Sequence, residues 1–271
     1  MTGAGRACGV PRRRVRVRQR AAALRQESAR VPEIDPRVDD DVITGVAATV
    51  VVLRDGAHGP EVLLLERPRH RGSFAGAWVF PGGAVDPEDR VANGETDAAG
   101  EEPGVRRAAV REVQEEAGLV LNADALVAIS CWVPPAGIPK RLRTWFFLAP
   151  DPGGALALAP DECVDAAWLR PQDALERHAS GGLRLVAPTW VTLHGLVGKA
   201  SVAEMLAAAR RGEPERFTSR AGTTLSGATI FWAGDVAFTD QALAEAEGAR
   251  HRLEVGALPW VYWRSGVGGA R

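Results

Sequence analysis

Lysine is almost missing from this chain: of its 33 basic residues only Lys140 and Lys199 are lysines, and the rest are arginines. With 30 glycines and abundant alanine beside them, this composition points to a GC-rich coding sequence and to nothing functional. Cysteine is also scarce. Cys8, Cys131 and Cys163 are odd in number, far apart and without a C-x-x-C pair, which excludes a disulfide framework and a zinc knuckle and suits a reducing compartment. The five histidines form no H-x-H or H-E-x-x-H spacing, which argues against zinc. Ser180-Gly181-Gly182 and the glycines of 266–269 lack the lysine and the strand-to-helix setting of a P-loop, so they read as a turn and a chain end. No uninterrupted apolar run approaches the ~18 residues needed to cross a bilayer, so the expectation is a cytoplasmic protein with no membrane partner.

What the chain does have is ordinary globular composition, 46% hydrophobic and 25% charged over 271 residues, enough for one large or two small domains. Its charge is divided unevenly. Residues 1–30 hold nine arginines and one glutamate, so a net charge of −1 for the whole leaves −9 on the remainder. An acidic folded part is the opposite of what a nucleic-acid surface needs, and no nucleic-acid partner is expected. Residues 1–36 read as a disordered basic tail or as translation from a start placed too far upstream, with a nucleic-acid arm or a transit peptide as poorer fits.

The informative stretch is Arg111-Glu112-Val113-Gln114-Glu115-Glu116-Ala117-Gly118-Leu119. At ~100° per residue, Glu112, Glu115 and Glu116 share an arc of about 100° on one helical surface. Three carboxylates so close repel unless a cation lies among them, and Mg²⁺ or Mn²⁺ takes a few carboxylates and completes its shell with water and phosphate oxygens. The helix has its own buried stripe in Val105, Ala109, Val113 and Ala117, recurring every fourth residue, and Gly118 is placed to end it. Upstream, a strand-like run meets the turn Pro81-Gly82-Gly83, a place where backbone can approach a ligand closely.

A glycine turn, an acidic residue and then Arg-Glu-x-x-Glu-Glu-x-Gly-Leu resembles the Nudix box, G-x5-E-x7-R-E-U-x-E-E-x-G-U with U aliphatic. The second half matches throughout. In the first half the sixth residue after Gly83 is Asp89 in place of Glu, and 21 residues in place of 7 separate it from Arg111. Residues 90–104 therefore read as a loop inserted into the box, with Asp89 a weak stand-in for the missing glutamate. Phe80 to Asp86, Arg141 to Phe147, Ala167-Trp168-Leu169 and Pro188 to Leu193 are similar to the Nudix branch that contains a peroxisomal coenzyme A diphosphatase.

That resemblance implies an α/β/α sandwich with a mixed sheet and a divalent-metal hydrolase that takes a small-molecule diphosphate. It implies metal ligands in Glu112, Glu115 and Glu116, with Arg111 orienting a helix carboxylate. Substitution of Glu115 or Glu116 by Gln is expected to reduce turnover by orders of magnitude. A general base is not identified; Glu162 is the candidate, beside its reading as a solvated loop acid. Arg67, Arg71, Phe80, Gly82, Gly83 and Arg141 are expected on the substrate side. Arg67, Arg69 and Arg71 could meet the 3′-phosphate of coenzyme A, although the coenzyme A signature of a neighbouring branch is matched only in part. ADP-ribose or a nucleotide sugar is the alternative substrate. A non-catalytic Nudix-fold ligand sensor is the alternative from another class, disfavoured by the retained carboxylates and the lack of a basic recognition helix.

The coarse element reading places strands at 42–53, 61–66, 125–133, 143–149 and 164–169, then a helix from Pro171 to His178. Beyond it come helices at 190–197 and 202–211 and short strand-like runs at 229–232 and 254–263. The division expected is a tail at 1–36, a Nudix domain at 37–187 and a mainly helical C-terminal extension at 188–271, packed on the sandwich. The oligomeric state is left open. The tryptophans read chiefly as core, with one or two able to stack an adenine.

Overall fold

The computed structural model describes residues 42–70, 74–90 and 103–265. The tail at 1–36, Arg71 and most of the insertion at 90–104 lie outside the described residues.

Long apolar runs become strands buried on both faces. β1 (Gly45–Gly56) and β2 (Gly59–Glu66) form a hairpin, with Leu53 opposite Val62. Along β1, Val50 and Val52 turn to one face while Val51 and Leu53 turn to the other, as the two-residue repeat of a strand requires. β3 (Trp78–Val79) pairs with β2 and β4 (Gly82–Ala84) pairs with β1, so Pro81-Gly82-Gly83 is set into the sheet where those two strands diverge. β5 (Val127–Val133), β6 (Leu142–Pro150) and β7 (Asp165–Leu169) follow. β6 runs parallel to β1 from Gly45 opposite Leu142 to Leu53 opposite Pro150, and β7 lies antiparallel along β2. With β8 (Glu215–Thr218), parallel to β5, the mixed sheet has eight strands, ordered β3-β2-β1-β6-β5-β8 with β4 and β7 off that path.

α1 (Pro103–Ala117) covers one face. Its stripe Val105, Ala109, Val113 and Ala117 is fully buried against Ala48, Val50 and Val52, as the four-residue spacing predicts. α2 (Pro171–Ala179), α3 (Ala187–Leu196) and α4 (Val202–Arg211) serve the other face, where Leu193 and Met205 pack with Val51, Leu53, Val62 and Leu64. The α/β/α sandwich is thus complete.

The extension is not mainly helical. Beyond α4 come β8, β9 (Arg220–Thr224), β10 (Gly227–Phe231), β11 (His251–Glu254) and β12 (Val261–Arg264). β8 joins the main sheet, and the other four form a second antiparallel sheet ordered β12-β11-β10-β9. These strands are short and mostly polar; β9 adds no large residue to a core cluster, and the others add one or two. Phe217 stacks flat on Trp132 of β5, ring centroids 3.8 Å apart, and Trp232, Leu253 and Trp260 continue that core. Pairing across long sequence separations specifies such strands, and a local pattern does not carry it.

Candidate active site

The site begins with two glycines. Gly82 has φ +152°, and a Cβ on it would lie 2.2 Å from the Ala48 carbonyl oxygen. At Gly83 a Cβ would lie 2.4 Å from the Glu112 carboxyl group. Only a residue without a side chain leaves room here, so the turn lets two carboxylates of α1 descend onto the sheet. The Gly82 N–H donates to Glu116 Oε2 at 2.9 Å. Gly118, at φ +73°, ends the helix one residue beyond Ala117.

Glu112 and Glu116, one turn apart, meet Glu162 from the loop before β7; one carboxylate oxygen from each lies within 4.8 Å of the others. Glu116 is 3% exposed. Burial pushes its carboxyl up to about 7, although the Gly82 N–H and Arg67 work in the other direction. Burial likewise raises Glu112, against the pull of Arg111. Clustered carboxylates that are partly dehydrated and lifted towards neutrality are what a bound divalent cation would relieve. Three carboxylate oxygens are hard donors, so the set fits Mg²⁺ or Mn²⁺.

Glu115 is not in this group. Its side chain is 52% exposed and accepts from Arg111 Nη1 at 2.9 Å. The sheet lies under the Glu112–Glu116 row, which leaves Glu115 to the solvent side. Glu162 takes the third place in the cluster, from a loop that sequence could nominate but not aim.

Arg111 sits among four acceptors. Its Nη2 donates to Asp89 Oδ2 at 2.7 Å and to the Ala84 carbonyl at 3.0 Å, while Nη1 reaches Glu112 Oε1 and Glu115 Oε2, each at 2.9 Å. Asp89, a weak stand-in on sequence grounds, is its main anchor. Burial alone would raise the Asp89 carboxyl; the Arg111 bond and the Asp86 N–H outweigh that and hold it below the usual aspartate range. The Arg111 guanidinium is correspondingly raised, chiefly by Asp89.

The residues expected on the substrate side divide. Arg67 Nη1 stands 3.8 Å from Glu116 Oε1, and its buried Nε has no hydrogen-bond partner among the described residues. Arg69 is taken by Glu66 at 2.7 Å. Phe80 is buried in the core on the α2–α4 face of the sheet, edge-on to Phe146, so it packs and presents no face to a ligand. Arg141 is also buried; its Nε donates to the Pro134 carbonyl at 3.0 Å and ties down the Pro-rich loop. A motif fixes residue order and not the face on which a side chain emerges, so the burial of these two could not be read from sequence. Cys163, in sequence only an isolated cysteine, lies beside the cluster with its thiol pushed up to about 12 by burial and by the Glu116 and Glu162 charges.

A NUDIX domain profile matches residues 44–188. The chain belongs to the Nudix family. Among solved structures, a NUDIX hydrolase from Alicyclobacillus acidocaldarius is similar at 28% identity and a TM-score of 0.53, over 61% of this chain and 97% of that one. An Ap4A hydrolase from C. elegans shares 23% identity at a TM-score of 0.38, over 61% of this chain and 99% of that one. The NUDIX domain of Shewanella oneidensis NrtR, complexed with ADP ribose, shares 15% at 0.43, over 62% and 88%. With its box carboxylates in place, this Nudix protein is a pyrophosphohydrolase. The matched segment includes β1 to β7, α1 and α2 and stops at the start of α3, so the extension lies beyond it.

Proposed function

We propose that this Nudix hydrolase uses Mg²⁺ or Mn²⁺ to cleave the diphosphate linkage of a nucleoside diphosphate joined to a second moiety, coenzyme A or acyl-CoA first among the candidates. The convergence of Glu112, Glu116 and Glu162 beside the Gly82-Gly83 turn carries the reading. Glu112 and Glu116 would hold the cation, with Glu162 as third ligand or as the base that takes the proton from attacking water. When bound, the ion supplies polarisation of a phosphoryl oxygen and a lowered pKa for water. Arg111 fixes the Glu112 carboxylate, and the Gly82 N–H fixes that of Glu116. Water oxygen bonds to one phosphorus, the bridging P–O bond breaks, and the departing phosphate keeps the electron pair.

Support for coenzyme A is the resemblance from Phe80 to Asp86 together with Arg67, whose partly exposed guanidinium stands 3.8 Å from Glu116 at the edge of the cluster. The test is a mass-spectrometric product screen over coenzyme A, ADP-ribose, NADH and nucleotide sugars with Mg²⁺. Release of 3′,5′-ADP and a phosphopantetheine supports the reading. Cleavage of only ADP-ribose or a nucleotide sugar moves the substrate, and binding of ADP-ribose without cleavage of any compound replaces the enzyme with a sensor.

A further inference from the structure

The box is interrupted at its most sensitive place, between Asp89 and the helix whose Arg111 it must hold. Aspartate is also one methylene shorter than the glutamate of the box, about 1.5 Å less reach. Yet the contact to Arg111 is short, 2.7 Å, and Asp89 is only 5% exposed. The Asp89 main chain lies against the first turns of α1. A Cβ on Gly104, in the first turn of α1, would lie 2.6 Å from the Asp89 carbonyl oxygen and 3.3 Å from Arg90 Cα. Arg107, one turn further along, donates from Nε to that same carbonyl at 2.9 Å. From the other side, the Asp86 N–H donates to Asp89 Oδ2 at 3.0 Å and the Asp89 N–H to the Asp86 carbonyl at 3.1 Å.

We infer that Gly104 and Arg107 are positioning residues: they latch the two ends of the insertion together so that a shortened acid at 89 still holds Arg111, and through it Glu112, in place. This rests on the metal reading of the cluster. The insertion follows the 3-10 turn at Pro87–Asp89 and ends where α1 begins at Pro103, so the latch sets Asp89 beside that helix. Gly104→Ala pushes the Asp89 backbone outward and leaves the aspartate short. Asp89→Glu in the unaltered latch restores the box residue but overshoots, because the backbone is held where an aspartate is needed. The two changes together should compensate, a longer acid on a displaced backbone.

The test is Mn²⁺ binding, followed by the electron paramagnetic resonance of the free ion, with thermal unfolding to confirm that each variant is folded. Gly104→Ala and Asp89→Glu should each weaken Mn²⁺ by about tenfold, the lower end for supporting groups around metal ligands, and the double variant should return to within about threefold of wild type. Arg107→Ala should weaken binding too, and Arg107→Lys should recover part of it. A structural defect alone would not be repaired by an added methylene at 89. Losses that add in the double variant, or wild-type Mn²⁺ affinity in Gly104→Ala and Arg107→Ala, overturn the latch and leave the site reading intact. A wild-type protein that binds no Mn²⁺ overturns the site reading and the latch with it.

Discussion

At the scale of single residues, the two glycines of the turn make different demands, and their substitutions should separate. Gly82→Ala puts a Cβ against the Ala48 backbone, which has nowhere to go, and should lower the unfolding temperature markedly. Gly83→Ala meets only the flexible end of Glu112, so the fold should survive while the carboxylate is displaced and metal-dependent turnover falls; circular-dichroism melts beside kinetics would show whether the two effects divide this way. Glu115 and Glu162 should reverse the order of importance that their sequence positions suggest. Glu162→Gln should cost orders of magnitude in turnover, whereas Glu115→Gln should cost about tenfold or less, since Glu115 reaches the site only through Arg111; equal losses would restore Glu115 to the cluster. Another residue sets a pH limit. His178 is fully buried against Trp260, with Nδ1 3.1 Å from the Leu183 carbonyl, and burial lowers its pKa from 6.5 to about 4. Because the folded state resists protonation that the unfolded chain accepts, stability is full above about 6.5 and is lost as pH falls towards 4. The limit is about 3 kcal/mol, at ~1.4 kcal/mol per unit. Urea titrations at pH 7 and 4.5 should show the loss in wild type and a smaller one in His178→Phe.

At the scale of elements, the parts legible in sequence are those whose pattern is local. β1, β2, β5, β6 and β7 appear within a few residues of their expected places, because each is a mostly apolar run. α1 shows itself through a stripe four residues apart and a terminal glycine, and α4 runs from Val202 to Arg211 as its pattern predicts. β3 falls in the strand-like run expected before Pro81, whereas β4, β8 and β9 lie outside every expected strand. All four are two to five residues long and owe their conformation to partners elsewhere, as Gly83 does to Ala48 and Arg216 to Cys131. The candidate site divides in the same way. The helix carboxylates could be read from spacing, while the aim of Glu162, the burial of Phe80 and Arg141 and the strength of the Asp89 anchor depend on contacts from distant segments. Removing one such contact should be costly: Trp232 is fully buried, with Nε1 donating to Ser219 Oγ at 2.9 Å, and Trp232→Ala should destabilise by ~3–5 kcal/mol in a denaturant titration.

At the scale of the molecule, one sheet separates two duties. Its α1 face carries the carboxylates; its opposite face is closed by α2, α3, α4 and the strands of the extension. Among the described residues, 188–265 have no large core apart from that face, so a chain ending at 187 would bare Val51, Leu53, Val62 and Leu64 and should lose cooperative unfolding. The extension is thus a support for the catalytic layer, reached through β8 and the stacked pair Phe217 and Trp132. Central to the account is that Glu116, buried against the Gly82 N–H, belongs to a cation site that drives diphosphate cleavage. The direct measurement is the turnover of wild type and Glu116→Gln on coenzyme A at saturating Mg²⁺, with products identified by mass and excess EDTA as the second arm. The account predicts Mg²⁺-dependent release of 3′,5′-ADP by wild type, abolished by EDTA and reduced by orders of magnitude in a folded Glu116→Gln protein; undiminished cleavage in the variant, or in EDTA, would contradict it.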